Sequence, residues 1–159
     1  MNNINSIIGA KFYGIRRVVD MLGLDLGETI KDGEKPYAEF AFHVQTPWRF
    51  VRGNEILLAS RDIYLPQDET LDNGDYDYEK QSPPREITST LSIFDVAKHD
   101  FKKHFEGAVV KSVDVSPFGD LRIEFTNGVC FETFTPSARK CEEWRFLPPD
   151  GEQLIVFDR

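Results

Sequence analysis

WRFVRGNEILL at residues 48–58 recurs as WRFLPPDGEQLIV at residues 144–156. Both copies read Trp-Arg-Phe-apolar, then a glycine-bearing turn, then glutamate and an apolar run. The two tryptophans are 96 residues apart and an earlier Gly-Ala pair returns after 98, so the register is nearly kept between the two halves of the chain. Self-similarity at a fixed spacing is the signature of a repeated structural unit. The sequence therefore predicts two similar β-rich halves, residues 9–65 and 107–157.

Alternating apolar residues predict strands in both halves. Leu22, Leu24 and Leu26 alternate with small or polar residues, which is the period of a half-buried strand. In the second half, Asn127-Gly128 separates two alternating segments. This dipeptide favours a two-residue hairpin, because both of its positions tolerate the positive φ that such a turn requires. Hairpins of this kind predict mainly antiparallel pairing.

The region between the halves contains an acidic loop and one helix. Residues 66–89 are polar, acidic and proline-containing, so we expect a long loop there. A helix is predicted over residues 92–106, because Ser92 and Asp95 resemble a capping box at its start. The apolar residues that follow at helical spacing are Phe94, Ala97, Phe101 and Phe105. The fold predicted for residues 1–159 is one α+β domain, mainly antiparallel, with this helix packed on the sheet.

The composition of the chain limits the cellular environments and the classes of binding partner that we expect. The 159 residues carry a formal net charge of −8 and are 40% hydrophobic, which is typical of a globular domain. The negative charge argues against nonspecific binding to nucleic acid or anionic membranes, since phosphate neutralisation needs clustered Lys and Arg. No apolar run approaches the ~20 residues that span a bilayer. The N-terminus resembles no secretory signal, so we expect a cytoplasmic protein with neither a membrane nor a nucleic-acid partner.

Cys130 and Cys141 are too few for a disulfide framework in a chain of this size. They can pair only if the strand that contains Trp144 runs beside the strand that contains Cys130. Because no export signal is present, two free thiols are expected.

The sequence contains none of the common catalytic motifs. P-loop, G-x-G-x-x-G, H-E-x-x-H and G-x-S-x-G patterns are all absent from it. The acidic stretch 68–79 matches several EF-hand positions, yet Gly74 falls one position late and Pro83-Pro84 excludes a helix soon after. We therefore predict no catalytic residue, no metal site and no cofactor.

Arg49 and Arg145, the arginines of the repeated Trp-Arg-Phe, are candidate binding residues. Neighbours in a strand face opposite sides, so both arginines point outward if Trp48 and Trp144 face the core. In one interpretation a pseudo-two-fold axis brings both guanidiniums to one surface as a fork for carboxylate or phosphate. The simpler interpretation is a structural salt bridge to a cross-strand carboxylate. The candidate carboxylates are Glu39, Glu55, Glu132 and Glu152.

His43 is the best single candidate for acid–base work. It lies with Gln45 on the polar side of its strand, just before Pro47, and the unperturbed pKa of histidine is near neutrality. The alternative is an ordinary surface histidine. His99 and His104 are five residues apart on the predicted helix, so they do not share a face as an i, i+4 pair would.

The acidic loop offers a second candidate site. Tyr76 and Tyr78 lie among Asp75 and Asp77. Tyrosine rings supply contact area and carboxylates supply charge, so these four residues are predicted to engage a basic protein partner.

Two segments resemble a known group of proteins. Residues 42–49 contain H-x-Q-x-P-W-R, and residues 119–128, GDLRIEFTNG, lead to EWRF at residues 143–146, within a C-terminal E-x-W-R stretch. They resemble an uncharacterised family of small bacterial proteins that carry these stretches, a domain of unknown function. The resemblance covers most of residues 10–147. It implies a small bacterial protein and carries no functional residues with it.

Two hypotheses of function follow. The leading one is a non-enzymatic protein-binding module, of which an immunity-type protein that neutralises a basic toxin is one form. The alternative is a small-ligand-binding protein or an unrecognised enzyme that uses Arg49, Arg145 and His43. A deep pocket where these three side chains converge favours the alternative, whereas a flat acidic face favours the binding module.

Deleting residues 68–80 should leave the melting temperature nearly unchanged. Residues 66–89 offer little apolar surface to offset the entropy of ordering them, so we expect a mobile or poorly packed loop. Thermal unfolding followed by circular dichroism measures the effect. A large fall in melting temperature would show that the loop is structural and would remove the main support for a binding role.

Overall fold

Ten strands dominate the computed structural model, which describes residues 4–70, 91–139, 141–150 and 155–158. In chain order they are β1 (Phe12–Val18), β2 (Met21–Ile30), β3 (Tyr37–Val44), β4 (Trp48–Arg52), β5 (Glu55–Ala59), β6 (Val110–Val115), β7 (Leu121–Phe125), β8 (Val129–Thr133), β9 (Glu142–Leu147) and β10 (Ile155–Asp158). All strand pairs are antiparallel. The predicted α+β class with mainly antiparallel strands is confirmed.

The strands form two sheets that mirror each other in connectivity. Sheet 1 has the order β1-β2-β3-β9-β10, and sheet 2 has the order β6-β7-β8-β4-β5. Each half of the chain therefore supplies a three-stranded meander to one sheet and a two-stranded hairpin to the other. Exchanging the halves, β1–β5 for β6–β10, converts one sheet order into the other. The prediction of two similar β-rich halves is confirmed, and the structure adds that the halves exchange their hairpins.

Two predicted turns form as expected, and one turn was not predicted. Gly53 and Gly128 adopt positive φ values of 60° and 88°, which glycine reaches without steric cost. The turn between β1 and β2 instead places Val19 at φ 56°, an unusual conformation for a β-branched residue. Arg17 Nη1 donates a hydrogen bond to the Val19 carbonyl oxygen at 2.6 Å and helps to hold this turn. No Gly, Asn or Pro marks it in the sequence.

The two sheets share one buried core to which both repeated tryptophans belong. Trp48 and Trp144 are 2% and 0% exposed, as the repeat predicted. Their indole N–H groups differ: Trp144 Nε1 donates to the Gly119 carbonyl oxygen at 2.9 Å. Trp48 Nε1 is buried and has no acceptor within the described part of the chain. The duplicated residue therefore keeps its packing while its polar contact has changed.

The single helix that was predicted is present but shorter than 92–106. The α-helix α1 spans Ile93–Ala97, and a 3-10 helix follows at Phe101–Phe105. The predicted cap is confirmed, since Ser92 Oγ accepts a hydrogen bond from the Asp95 amide at 3.0 Å. In the described ranges, no helix has the length and apolar composition needed to cross a bilayer.

Aromatic contacts with both sheets explain why the helix is interrupted. The Phe105 ring stacks on Phe12 of sheet 1 with 3.9 Å between centroids, and Phe101 meets Phe50 of sheet 2 edge-on at 5.0 Å. Asp100 leaves the helical region, with φ −129° and ψ 16°. Packing against two sheets decides the path of this segment, and such tertiary contacts routinely override local helix preference.

A buried ion pair joins the first hairpin to α1. Arg17 donates from Nε and Nη2 to the two carboxylate oxygens of Asp95 at 2.9 and 2.8 Å, and the Arg17 side chain is fully buried. Burial alone would raise the pKa of Asp95, but hydrogen bonds and charge from Arg17 outweigh it and hold the pKa below 3.8. The stabilisation from this ionised carboxylate is therefore present above pH 3.8 and is lost as pH falls through the lower, folded-state pKa.

Replacing Arg17 by Met should lower the free energy of unfolding by about 3–5 kcal/mol, because it leaves the Asp95 carboxylate buried without its main partner. Urea unfolding at neutral pH measures this loss. The double variant Arg17→Met with Asp95→Leu is the control and should recover most of it, since no uncompensated charge remains. Equal losses in the single and double variants would contradict this account.

Candidate functional site

Arg49 lies in a row of alternating charges on the outer face of sheet 2. Glu132 stands between Arg49 and Arg122 and accepts a hydrogen bond from each, from Arg49 Nε at 2.9 Å and from Arg122 Nη1 at 3.1 Å. Asp114 stands opposite Arg122 on the next strand. Arg49 thus makes the cross-strand salt bridge with Glu132 that one interpretation of the sequence predicted.

Arg145 occupies the matching position on the outer face of sheet 1, where the row has a different composition. Across the strands β1, β2, β3 and β9 the residues that stand opposite one another are Arg16, Gly23, His43 and Arg145. Their counterparts across β6, β7, β8 and β4 are Asp114, Arg122, Glu132 and Arg49. His43 therefore takes the place that Glu132 has in the other sheet. The outer faces have diverged at the centre of the row.

Arg16 completes this cluster by lying over Gly23. A Cβ at position 23 would stand 2.7 Å from Arg16 Nη1 and 2.8 Å from its Cζ, so only glycine leaves room for the guanidinium there. Arg16 donates to both carboxylate oxygens of Asp25 at 3.1 and 3.2 Å, and its Nη2 is 3.5 Å from His43 Nε2. Sequence reasoning missed Arg16. The available signal was Gly23, because a glycine inside a strand often marks a close approach.

Among the side chains that the structure describes, the carboxylate that pairs with Arg145 is on its own strand. Its Nη2 contacts Glu142 on the same strand at 3.0 Å. Its Nε is buried and has no hydrogen-bond acceptor among the residues that the structure describes. The Arg145 guanidinium therefore has one N–H donor without a partner among these residues. Such a buried, unpaired donor costs free energy of folding.

The pKa of His43 is held below its usual value of 6.5. Burial is the largest cause, followed by the positive charges of Arg16 and Arg145, while Asp25 and Glu142 act in the opposite direction. The imidazole is therefore neutral at pH 7. Arg16, His43 and Arg145, which we call the sheet 1 cluster, form a polar patch with two fixed cations around a neutral ring.

Arg49 does not join Arg145 and His43 in a common site. It lies on sheet 2, whereas the other two lie on sheet 1. The fork of two repeated arginines that one interpretation proposed is therefore not formed. The second guanidinium beside His43 belongs to Arg16, outside the repeated motif.

The two cysteines have different surroundings, and Cys130 lies on the other sheet from His43. Cys130 lies on sheet 2, and burial raises the pKa of its thiol to about 11, so it is protonated and unreactive at neutral pH. The Cys141 thiol donates to a Glu143 carboxylate oxygen at 3.2 Å. The two residues are not joined by a disulfide.

Exposed aromatic residues flank the charge row of sheet 2. Phe118, in the turn between β6 and β7, is 66% exposed, and Phe134, just after β8, is 40% exposed. The Thr135 hydroxyl donates to the Phe118 carbonyl oxygen at 3.1 Å and ties the two segments together. The Arg49 guanidinium carbon lies 4.8 Å from the centre of the Phe134 ring, within cation–π range. We call Phe118, Phe134 and the nearby exposed Val115 the aromatic patch.

The predicted acidic site lies outside the described residues. Tyr76, Tyr78, Asp75 and Asp77 all fall in the range 71–90, so their role stays a prediction.

Comparison with known proteins finds no match to the chain among family models, curated proteins or solved structures. Function must therefore be argued from the two outer faces.

The Arg145→Gln variant should raise the pKa of His43 towards 6.5, because it removes one of the two cations that disfavour the imidazolium. Proton NMR of the imidazole during a pH titration measures this pKa. The control Arg49→Gln should leave it unchanged, since Arg49 lies on the other sheet. A shift of the same size in both variants would contradict the assignment of the cause to Arg145.

Proposed function

We propose that this chain is a non-enzymatic protein-binding module that contacts its partner through the aromatic patch of sheet 2. The observation that carries the proposal is the exposure of Phe118 and Phe134 beside Arg49. Aromatic side chains and arginine are enriched at the centres of protein interfaces. A phenylalanine that is two-thirds exposed in the free chain gains most from being covered by a partner.

The charge of the chain supports a basic partner. Beside the patch, the two carboxylates of Glu132 and Asp114 offset the charges of Arg49 and Arg122, so the patch itself does not repel a cationic surface. The chain as a whole carries a formal net charge of −8. A net negative surface speeds encounter with a positively charged protein and disfavours acidic competitors. An immunity-type role in a bacterial cytoplasm, with a basic toxin as the partner, is one form of this proposal.

The surroundings of Cys130 and His43 favour a binding role over catalysis. The thiol of Cys130 is held protonated by its raised pKa. His43 lies between two arginines and is held neutral. The alternative of a small-ligand site survives without Arg49, at the sheet 1 cluster alone.

The test measures binding to the protein encoded by the adjacent gene, using isothermal titration calorimetry. The double variant Phe118→Ser with Phe134→Ser should weaken binding about 30-fold or more, because each truncated hot-spot aromatic costs about 1–2 kcal/mol. The matched control is Ile56→Ser, which removes a side chain that is 57% exposed beside the β4–β5 turn at the other end of the same sheet.

Unchanged binding in the double variant would overturn the proposal, as would an equal loss in the Ile56 control. A variant that lacks residues 68–80 shows whether the acidic loop or the aromatic patch binds the partner. If that deletion abolishes binding while the double variant does not, the acidic loop carries the interaction and the aromatic patch does not.

A further inference from the structure

We propose that the sheet 1 cluster is a binding site for a small aromatic carboxylate, with the carboxylate group held by Arg16 and Arg145 over His43. This site is separate from the aromatic patch and does not depend on the proposed protein partner.

The duplication shows the carboxylate site in an occupied form. In sheet 2, the Glu132 side chain lies between two guanidiniums and accepts hydrogen bonds from both, at 2.9 and 3.1 Å. In sheet 1, two guanidiniums again flank the central position, but that position is His43. In sheet 1 the carboxylates that pair with the two guanidiniums, Asp25 and Glu142, lie to either side, and the central position itself holds no carboxylate. A carboxylate from a ligand would supply what Glu132 supplies in the other sheet.

The origin of the second guanidinium in each sheet supports a carboxylate site in sheet 1. In sheet 2 it comes from Arg122 on the central strand. In sheet 1 the same strand position is Gly23, and Arg16 reaches over it from the edge strand. Sheet 1 thus has Gly23 where sheet 2 has Arg122, and Arg16 where sheet 2 has Asp114, yet both sheets have a guanidinium beside the central position. A surface without a binding role would not require a guanidinium at this place in both sheets.

The cluster also retains donors for an incoming anion. Arg145 Nε has no acceptor among the described residues, and because it is buried, the Arg145 side chain must turn outward to present this donor to a ligand. A guanidinium offers five N–H donors, and Asp25 takes two from Arg16 at 3.1 and 3.2 Å. Bidentate contact with arginine is the geometry that carboxylates favour.

A groove beside the cluster is suited to the body of the ligand. It has a volume of about 520 Å³, within the range of small-molecule sites. Arg16 and Asp25 form one wall, and the pair Ala41 and Leu147 lies one outward-facing position along the ladder from His43 and Arg145. The remaining lining is mostly apolar or aromatic, with one carboxylate, and is formed by Tyr13, Pro36, Tyr37, Ala38, Glu39, Pro148 and Pro149. Such a lining accommodates a flat ring attached to the carboxylate.

Binding should raise the pKa of His43. The charged groups that face this ring are Arg16 from β1, Asp25 from β2, and Arg145 and Glu142 from β9. A bound carboxylate adds a negative charge that favours the imidazolium. The ligand should therefore bind more tightly at pH 5.5 than at pH 7.5.

The experiment titrates the full chain with benzoate and follows the His43 ring protons by NMR. Benzoate should produce a saturable shift and raise the pKa of His43. Acetate, which lacks the ring, should bind about tenfold more weakly because the groove stays empty. Benzyl alcohol, which lacks the charge, should leave the pKa unchanged. Equal effects of all three probes, or no saturable effect of benzoate, would overturn the proposal.

Variants locate the site. Arg145→Gln and Arg16→Gln should each weaken benzoate binding about tenfold, and either suffices if the other fails to fold. The variant His43→Glu places a carboxylate at the central position, as Glu132 does in sheet 2. Because this variant has no His43 ring to observe, binding is followed through the backbone amide shifts near Gly23. These shifts should no longer respond to benzoate. The matched control Arg122→Gln, which flanks Glu132 in sheet 2, should bind benzoate as the unaltered chain does. If Arg122→Gln weakens binding as much as Arg145→Gln, the proposal fails.

The benzoate experiment can be distinguished from the test of binding to the proposed protein partner. The Phe118→Ser with Phe134→Ser variant should retain full benzoate binding, because the aromatic patch lies on the other sheet. Loss of benzoate binding in that variant would show that the two faces are not independent and would overturn this assignment.

Discussion

The exchange of hairpins between the two sheets is the constraint on which the rest of this structure depends. The hairpin β9–β10 completes sheet 1 against β3, and the hairpin β4–β5 completes sheet 2 against β8. Without the other half, β3 and β8 would expose a row of backbone donors and acceptors next to a bare apolar face. The pairing of Phe42 with Phe146 closes a loop of more than a hundred residues, so the core forms only when both halves are present. Each half is a partner for the other rather than an independent unit.

This arrangement explains why the inner faces are alike and the outer faces differ. Trp48 and Trp144 must fill equivalent places in a shared core, where a change in volume is felt by many neighbours. The outer faces are under no such packing constraint. There the central residue is Glu132 in sheet 2 and His43 in sheet 1, and their neighbours have changed with them. The differences between two copies of one unit are therefore a better guide to function here than the features that the copies share.

The connection between the halves adds structure that the duplication does not supply in full. Phe101 and Phe105 lie between the sheets and contact Phe50 and Phe12, and the Arg17–Asp95 pair ties this segment to the first hairpin. The first half has a smaller counterpart, the 3-10 helix Ile4–Ile7. In both places the alanine that follows donates its amide to the last apolar residue, at 2.9 Å. The larger copy closes the core because it carries phenylalanine where the smaller one carries isoleucine.

The sequence by itself determined the β-rich duplication, the glycine turns, the Ser92 cap and the burial of both tryptophans. Each of these follows from local chemistry: alternation of apolar residues, positive φ at glycine and a hydroxyl ahead of a helix. Only the tertiary structure decided that the halves exchange hairpins, which placed Arg49 and Arg145 on different sheets. It also brought Arg16 to His43, since that contact spans three strands and depends on the space above Gly23. Pairing between strands distant in sequence is set by how the whole core closes, and no short stretch of residues encodes it.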